Sequence, residues 1–259
     1  MRKIIPIVLL LTVFLLRTEC AFSDDEKLYG SANSNAFFGT VDPSTGIGTP
    51  IGSGLGYEAL AFSSDGALYA SSYRNPFFGT VDLATGIRTP ISSVWGSEAL
   101  AFSKDGVLYA STYSNVFFGT VDLITGVTTQ IGQGWGYESL AFSSDGTLYG
   151  SCYRNAFFGT VDPATGIGTK DGSGWGSEAL AFSSDGKLYE STYSNAFFGI
   201  VNPITGIRTP ISEGVGYEAL AFSRSFAFET QPSAIPEPTT LSLLGLGLLG
   251  FIFKKKRLP

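Results

Sequence analysis

One segment, written five times at a spacing of forty residues, limits what this chain can fold into. "GYEALAFSSDGALYASSYRNPFFGTVDLATGIRTPI" (56–91) returns as "GSEALAFSKDGVLYASTYSNVFFGTVDLITGVTTQI" (96–131), and again from Gly136 and from Gly176. The phase never slips: Phe38, Phe78, Phe118, Phe158 and Phe198 keep the spacing, as do Leu28, Leu68, Leu108, Leu148 and Leu188. A unit of this length cannot bury an apolar face alone, so copies must stack on one another.

Each unit divides into four strand-like runs. "EALAFS" and "LYASSY" flank "SDG", where Asp65-Gly66 supplies hairpin chemistry because glycine accepts positive φ at little cost. "FFGTVD" and "IRTPI" flank "LATG", with Gly86 in the same role, and a polar link ("RN" or "SN") joins the two hairpins. Apolar and small residues occupy both alternating sets, as in Leu68/Ala70 and Tyr69/Tyr73, so the strands are covered on both faces. No unit holds a ten-residue stretch at helical period. The pattern predicts an all-β, five-bladed β-propeller with four-stranded blades of about forty residues. A β-helix is the alternative, but its rungs join parallel strands, whereas these turns join hairpins. The repeat region opens with a second run, "KLYGSANS" (27–34), and closes with a first run, "YEALAFS" (217–223). The last blade is therefore predicted to take three strands from the N-terminal side and one from the C-terminal side, which leaves no open edge.

The two ends differ from the body. Residues 1–23 combine a basic start (Arg2, Lys3), an apolar core (Ile4–Leu16) and small residues near a plausible cut, which predicts a Sec-type signal helix; a retained anchor is the alternative. The Sec translocon and signal peptidase are the partners that reading implies. The propeller is expected over 24–225, a polar linker over 226–235 and a distinct tail over 236–259. In that tail Pro236, Glu237 and Pro238 precede a thirteen-residue apolar run, Leu241–Phe253, and the cations Lys254, Lys255, Lys256 and Arg257. The run is short of the roughly 20 residues of a comfortable membrane span, and its cationic end halts export with positive residues inside. Tripeptide, apolar helix and basic stop, in that order, resemble the PEP-CTERM sorting signal of exported bacterial proteins. The resemblance implies an exosortase as partner, transient anchoring in the inner membrane, and later release or display at the cell surface. It also implies an exopolysaccharide or biofilm-matrix setting. A plain C-terminal membrane anchor is the alternative reading.

Composition narrows the chemistry. The chain has no histidine, which removes Ser-His-Asp and Cys-His nucleophile systems, His-based metal sites and imidazole bases. Without the signal segment and the four terminal cations, nine cations remain against 21 acids, near −12, so a phosphate backbone is repelled and nucleic acid is not a partner. Cys152 stands where sister units carry Ser72, Thr112 and Thr192, as a small packing residue.

Glu58, Glu98, Glu138, Glu178 and Glu218 recur at the entrance to the inner strand and are predicted to ring one mouth of the channel. They are either blade-junction hydrogen-bond acceptors or a candidate site for Ca²⁺; no other cofactor is expected. Tyr57, Tyr137 and Tyr217 alternate with Ser97 and Ser177, Arg74 and Arg154 alternate with serines, and Trp95, Trp135 and Trp175 precede the glutamates. Duplication of an 80-residue pair explains that alternation, yet aromatic rings beside carboxylates and guanidinium groups also suit an extracellular polysaccharide. A glycosidase needs two carboxylates in unlike environments, which near-identical blades do not supply. The sequence therefore favours a non-catalytic surface or matrix module with no catalytic residue. A polysaccharide-active glycosidase or lyase using the mouth carboxylates is the alternative.

Overall fold

The computed structural model describes residues 26–52, 55–133, 135–171 and 175–223. The helices predicted for the signal segment and for the tail lie outside them, as do the linker, Pro236, Glu237, Pro238 and Lys254 to Arg257. Among the described residues no helix is long and apolar enough to cross a membrane.

Twenty strands follow in order. They are β1 (Leu28–Ala32), β2 (Phe37–Val41), β3 (Gly48–Pro50), β4 (Ala59–Phe62), β5 (Leu68–Ser72), β6 (Phe77–Val81), β7 (Arg88–Ser92), β8 (Ala99–Phe102), β9 (Leu108–Thr112) and β10 (Phe117–Val121). The rest are β11 (Thr128–Gln130), β12 (Ser139–Phe142), β13 (Leu148–Cys152), β14 (Phe157–Val161), β15 (Gly168–Lys170), β16 (Ala179–Phe182), β17 (Leu188–Thr192), β18 (Phe197–Val201), β19 (Arg208–Glu213) and β20 (Ala219–Phe222). They form five antiparallel four-stranded sheets. Blade 1 is β20-β1-β2-β3, and blades 2 to 5 are β4–β7, β8–β11, β12–β15 and β16–β19. The inner strands β4, β8, β12, β16 and β20 neighbour one another in a closed circuit. This is the five-bladed propeller that the repeat predicts, with β20 completing blade 1 in the register Leu28↔Phe222, Tyr29↔Ala221, Gly30↔Leu220 and Ser31↔Ala219.

Sequence explains the radial order. Inner strands carry "ALAF" or "SLAF" and are almost wholly buried, whereas outer strands are largely exposed. Pro50, Pro90 and Pro210 all sit on those outer strands, where a missing N–H disturbs no further ladder and blocks pairing with another chain.

Two devices join neighbouring blades. The first is a fully buried serine on each second strand. Ser31 Oγ donates to Phe37 O (2.8 Å) in its own blade and accepts from Tyr57 N (2.7 Å) of the next. Ser71, Ser111, Ser151 and Ser191 repeat both bonds. The second is an aromatic wedge. Tyr57 sits edge-on to Phe38 of blade 1 at 5.7 Å and tilts against Phe77 of blade 2 at 5.9 Å. Tyr137 and Tyr217 do the same at their seams, and their hydroxyls donate to Gly166 O (2.9 Å) and Gly46 O (2.8 Å). Glycine makes the space: a Cβ at Gly30 would lie 2.9 Å from Tyr217 Cδ1, and one at Gly48 2.7 Å from its hydroxyl.

The seams with serine in place of tyrosine are filled differently. Between blades 2 and 3, Trp95 stacks on Phe78 at 5.2 Å, and its indole N–H donates to Gly126 O. Between blades 4 and 5, Trp175 stays outside at 64 % exposure. There Ser177 Oγ and Arg208 Nε both donate to Glu190, while Arg208 lies 4.0 Å over Phe197 and its Nη2 has no partner. Burial pushes the Glu190 carboxyl above its ordinary range, against the pull of Arg208.

Glu190 and Arg208 occupy the positions held by Gly30 and Gly48 in blade 1 and by Gly150 and Gly168 in blade 4. Removing one partner of such a pair strands a buried charge, so Glu190→Ala is expected to cost about 3–5 kcal/mol. The triple variant Ser177→Tyr/Glu190→Gly/Arg208→Gly rebuilds the wedge and is expected to raise Tm by about 2–4 °C over the parent. Thermal melts of both variants check this; a triple variant no more stable than Glu190→Ala would show that the seam rejects the ring. Truncation before Tyr217 leaves the β1 edge unpaired and is expected to yield aggregates on size exclusion.

Candidate functional site

The five glutamates predicted to ring a mouth stand just before the inner strands, on the end of the blades where the second strand links to the third. Each accepts hydrogen bonds from that link. Glu58 accepts from the backbone N–H of Tyr73 and of Arg74 (2.8 Å), and Glu218 from Asn33 N and from Ser34 N (3.1 Å) and Oγ (2.6 Å). Glu98 accepts from Ser114 N (3.1 Å) and Oγ (2.8 Å), Glu138 from Arg154 N (3.1 Å) and Cys152 Sγ (3.2 Å), and Glu178 from Ser194 N (3.0 Å) and Oγ. Every link thus ends on a carboxylate of its own blade, so the glutamates fix the geometry of the face they line.

Arg74 and Arg154 complete the mouth. Arg74 Nε pairs with Glu58 (3.0 Å), while its Nη1 reaches Glu218 (3.0 Å) and Ser34 Oγ (2.7 Å) of the preceding blade. Arg154 repeats this with Glu138 (2.9 Å), Glu98 (3.2 Å) and Ser114 Oγ (2.8 Å). Five carboxylates against two guanidinium groups leave a formal charge of −3 around a cleft of about 20 Å³. Burial pushes the Glu58 and Glu138 carboxyls above the ordinary carboxylate range despite these partners. The same burial, beside Glu138, pushes the free Cys152 thiol up to about 12.

The channel widens toward the opposite end into a funnel of about 490 Å³, walled by Leu60, Phe62 and their counterparts on the other inner strands. Among the described residues no group of three or more His, Cys, Asp or Glu side chains converges as a metal site. The aspartates of "VDxxTG" close turns instead. Asp82 accepts from Thr85 Oγ1 (2.7 Å), Thr85 N (2.8 Å) and Ala84 N (3.1 Å), and the Thr85 bonds hold its carboxyl below the usual range.

The aromatic residues singled out in the sequence separate into two groups. Tyr57, Tyr137 and Tyr217 are 0–3 % exposed and serve as the interblade wedges, so a soluble ligand does not reach their rings. Trp95 is packed on Phe78, and only Trp135 and Trp175 lie exposed. Four tyrosines on the links were not singled out: Tyr73, Tyr113, Tyr153 and Tyr193, half-buried beside the exposed Asn35, Asn75, Asn115, Asn155 and Asn195. Arg154 lies 5.6 Å from the Tyr113 ring centre, which ties that ring to the charged mouth. Their signal was present as "YRN" and "YSN" at every repeat from the second onward.

The architecture defines a five-bladed propeller with a carboxylate-rich mouth. Residues 234–257 match the PEP-CTERM protein-sorting motif, so the body belongs to an exported chain with an exosortase sorting signal. No curated protein matches the chain. Among solved structures it is similar to a chain of a nidogen/laminin complex, with 11 % identity over 76 % of this chain and 98 % of that one, at TM-score 0.54. It is also similar to a symmetrical protein described for its de novo evolutionary emergence, with 22 % identity over 75 % of this chain and 97 % of that one, at TM-score 0.52. These two likenesses concern the fold alone. The hydrazine synthase of Kuenenia stuttgartiensis aligns at 21 % identity and TM-score 0.42 over 56 % of this chain, which spans 45 % of that one.

Loss of Arg74 leaves Glu58 and Glu218 buried and uncompensated. Arg74→Met is expected to cost about 2–3 kcal/mol at neutral pH, less than a fully buried pair because the guanidinium is 46 % exposed. A carboxyl whose folded pKa is raised withholds stability above that value and returns it as pH falls through it. The deficit should therefore shrink on acidification through the carboxylate range. Urea titrations of parent and variant from neutral to mildly acidic pH check the sign.

Proposed function

We propose that this is a non-catalytic binding and structural module, displayed at the cell surface or in the extracellular matrix, whose charged mouth engages a glycan. The observation that carries this reading is that the links bearing half-buried tyrosines and exposed asparagines are bonded directly to the glutamates of the mouth. Tyrosine faces stack on sugar rings, asparagine amides bond hydroxyl groups in either direction, and both are held on links that the glutamates make rigid. Near-identical blades offer several similar contacts around one axis, so weak single-sugar contacts add by avidity along a polymer. The PEP-CTERM motif supports the setting, because an exported, sorted chain meets the polysaccharides of its own envelope.

Against the enzyme reading stands the engagement of the carboxylates. Four of the five are 4–6 % exposed and tied to backbone N–H groups or guanidinium, not poised as a free acid and base. The test is a glycan array and the producing cell's own polysaccharide, probed with the intact protein. Binding without turnover is expected, with Tyr113→Ala/Tyr153→Ala weakening it at least tenfold at a temperature where circular dichroism shows the variant fully folded. Hydrolysis or elimination of the polysaccharide, lost in Glu178→Gln, would instead favour the enzyme.

A further inference from the structure

One of the three tyrosine wedges meets an arginine where the others meet a glycine. The position that holds Gly48 against Tyr217 and Gly168 against Tyr137 holds Arg88 in the seam of Tyr57. A Cβ at either glycine would lie 2.7 Å from the tyrosine hydroxyl. Arg88 carries that Cβ, and the Tyr57 hydroxyl stands 3.5 Å from Gly86 O, where its counterparts make bonds of 2.9 and 2.8 Å. The wedge is thus eased off the outer wall of its seam. At that wall lies a cavity of about 180 Å³, lined by Ile51 and Leu55 of the crossing from blade 1 and by Thr85, Gly86, Ile87 and Arg88 of blade 2. It shares no lining residue with the mouth or the funnel.

The arginine has no acid to answer it. In blade 5 its counterpart Arg208 lies over Phe197 and is bonded to Glu190. Arg88 also lies over its own blade's phenylalanine, with the guanidinium carbon 4.8 Å from the Phe77 ring centre, but Ala70 stands where Glu190 would. Asp82, the acid of the same hairpin, is taken up by Thr85 and Ala84. Among the described residues no carboxylate comes within ion-pair distance of Arg88. The charge is felt at the cavity wall: burial pushes the Tyr57 hydroxyl above its ordinary range, and Arg88 pulls against that push.

We infer that this cavity binds a monocarboxylate with a ring-sized apolar body, an aromatic or alicyclic acid. The guanidinium takes the carboxylate as Arg208 takes Glu190, and Ile51, Leu55 and Ile87 cover the ring. The volume suits one ring, since an apolar cavity of about 150 Å³ holds benzene. A small anion leaves the aliphatic wall wet, and a neutral ring leaves the guanidinium unanswered, so the site selects for both parts together. The net negative charge of the body does not forbid this. Charges beyond about 8 Å are screened at physiological salt, whereas the guanidinium is in contact with its ligand. The site stands whether or not the mouth takes a glycan.

The test is a ligand-observed NMR titration of the intact protein at physiological salt with benzoate, benzamide and acetate. Two variants accompany it. Arg88→Thr removes the charge and leaves what blade 3 carries there as Thr128. Tyr57→Ser/Ala70→Glu rebuilds the arrangement of blade 5, in which the guanidinium is answered from within. Benzoate is expected to bind saturably and at least about tenfold more tightly than benzamide or acetate. Both variants should weaken it by a similar factor at a temperature where circular dichroism shows them folded. If the double variant does not fold, Arg88→Thr alone decides. Absence of saturable benzoate binding, or equal binding of benzamide or acetate, overturns the inference. Benzoate binding that survives in either folded variant overturns the placement at Arg88.

Discussion

The hydrogen-bonded pairing of β20 with β1 is the constraint on which everything else in this molecule depends. Four blades are local in sequence, each closed by its own hairpins, and could stack as an open arc. Only blade 1 joins residues nearly two hundred positions apart, and that one ladder turns an arc into a ring. Glu218 reinforces it: its N–H donates to Ser31 O, and its carboxylate accepts from Asn33 and Ser34, so the same residue closes the ring and lines the mouth. Closure also sets the number of blades, and through it the geometry that any ligand meets.

Repetition did not produce five equal seams. Three are held by tyrosine, one by Trp95 and one by the Glu190–Arg208 pair, although all share the serine stitch beneath. The stitch is a bond a small hydroxyl makes to two backbones, insensitive to what packs above it. The wedge is a matter of volume, and volume can be met by a ring from either of two neighbouring positions or by a pair of charged chains. A ring built this way keeps its curvature while its seams drift apart in chemistry.

Much of this was legible beforehand, and for physical reasons. Strand number, blade order and closure follow from turn residues at fixed offsets and from where the repeat is cut, and these are local properties. The ring of glutamates was legible as a ring because one position per blade must map onto a circle. What composition could not reveal is which side of a strand a tyrosine takes. Tyr57 and Tyr73 are both tyrosines beside polar residues, yet one begins an inner strand and points into a seam, while the other leaves a second strand at the rim. Register decides between them, and at Tyr137 and Tyr217 the glycines that clear space for the buried ring lie on two other strands. The exchange of that ring for Glu190 and Arg208 in blade 5 was likewise written in the sequence, but as one departure, Glu190, beside a serine shared with blade 3 and an arginine shared with blade 2, with nothing local to say that the three meet.

Cys152 carries a consequence of its own. Its side chain is fully buried against Glu138, and its thiol is held in the protonated, unreactive form at any physiological pH. Covalent attack by a thiol reagent therefore requires blade 4 to part from its glutamate first, so the rate of labelling at this sulfur counts how often the wheel breathes. Nature has left a stopwatch in the fold, at a place where the fastening of the rim can be timed.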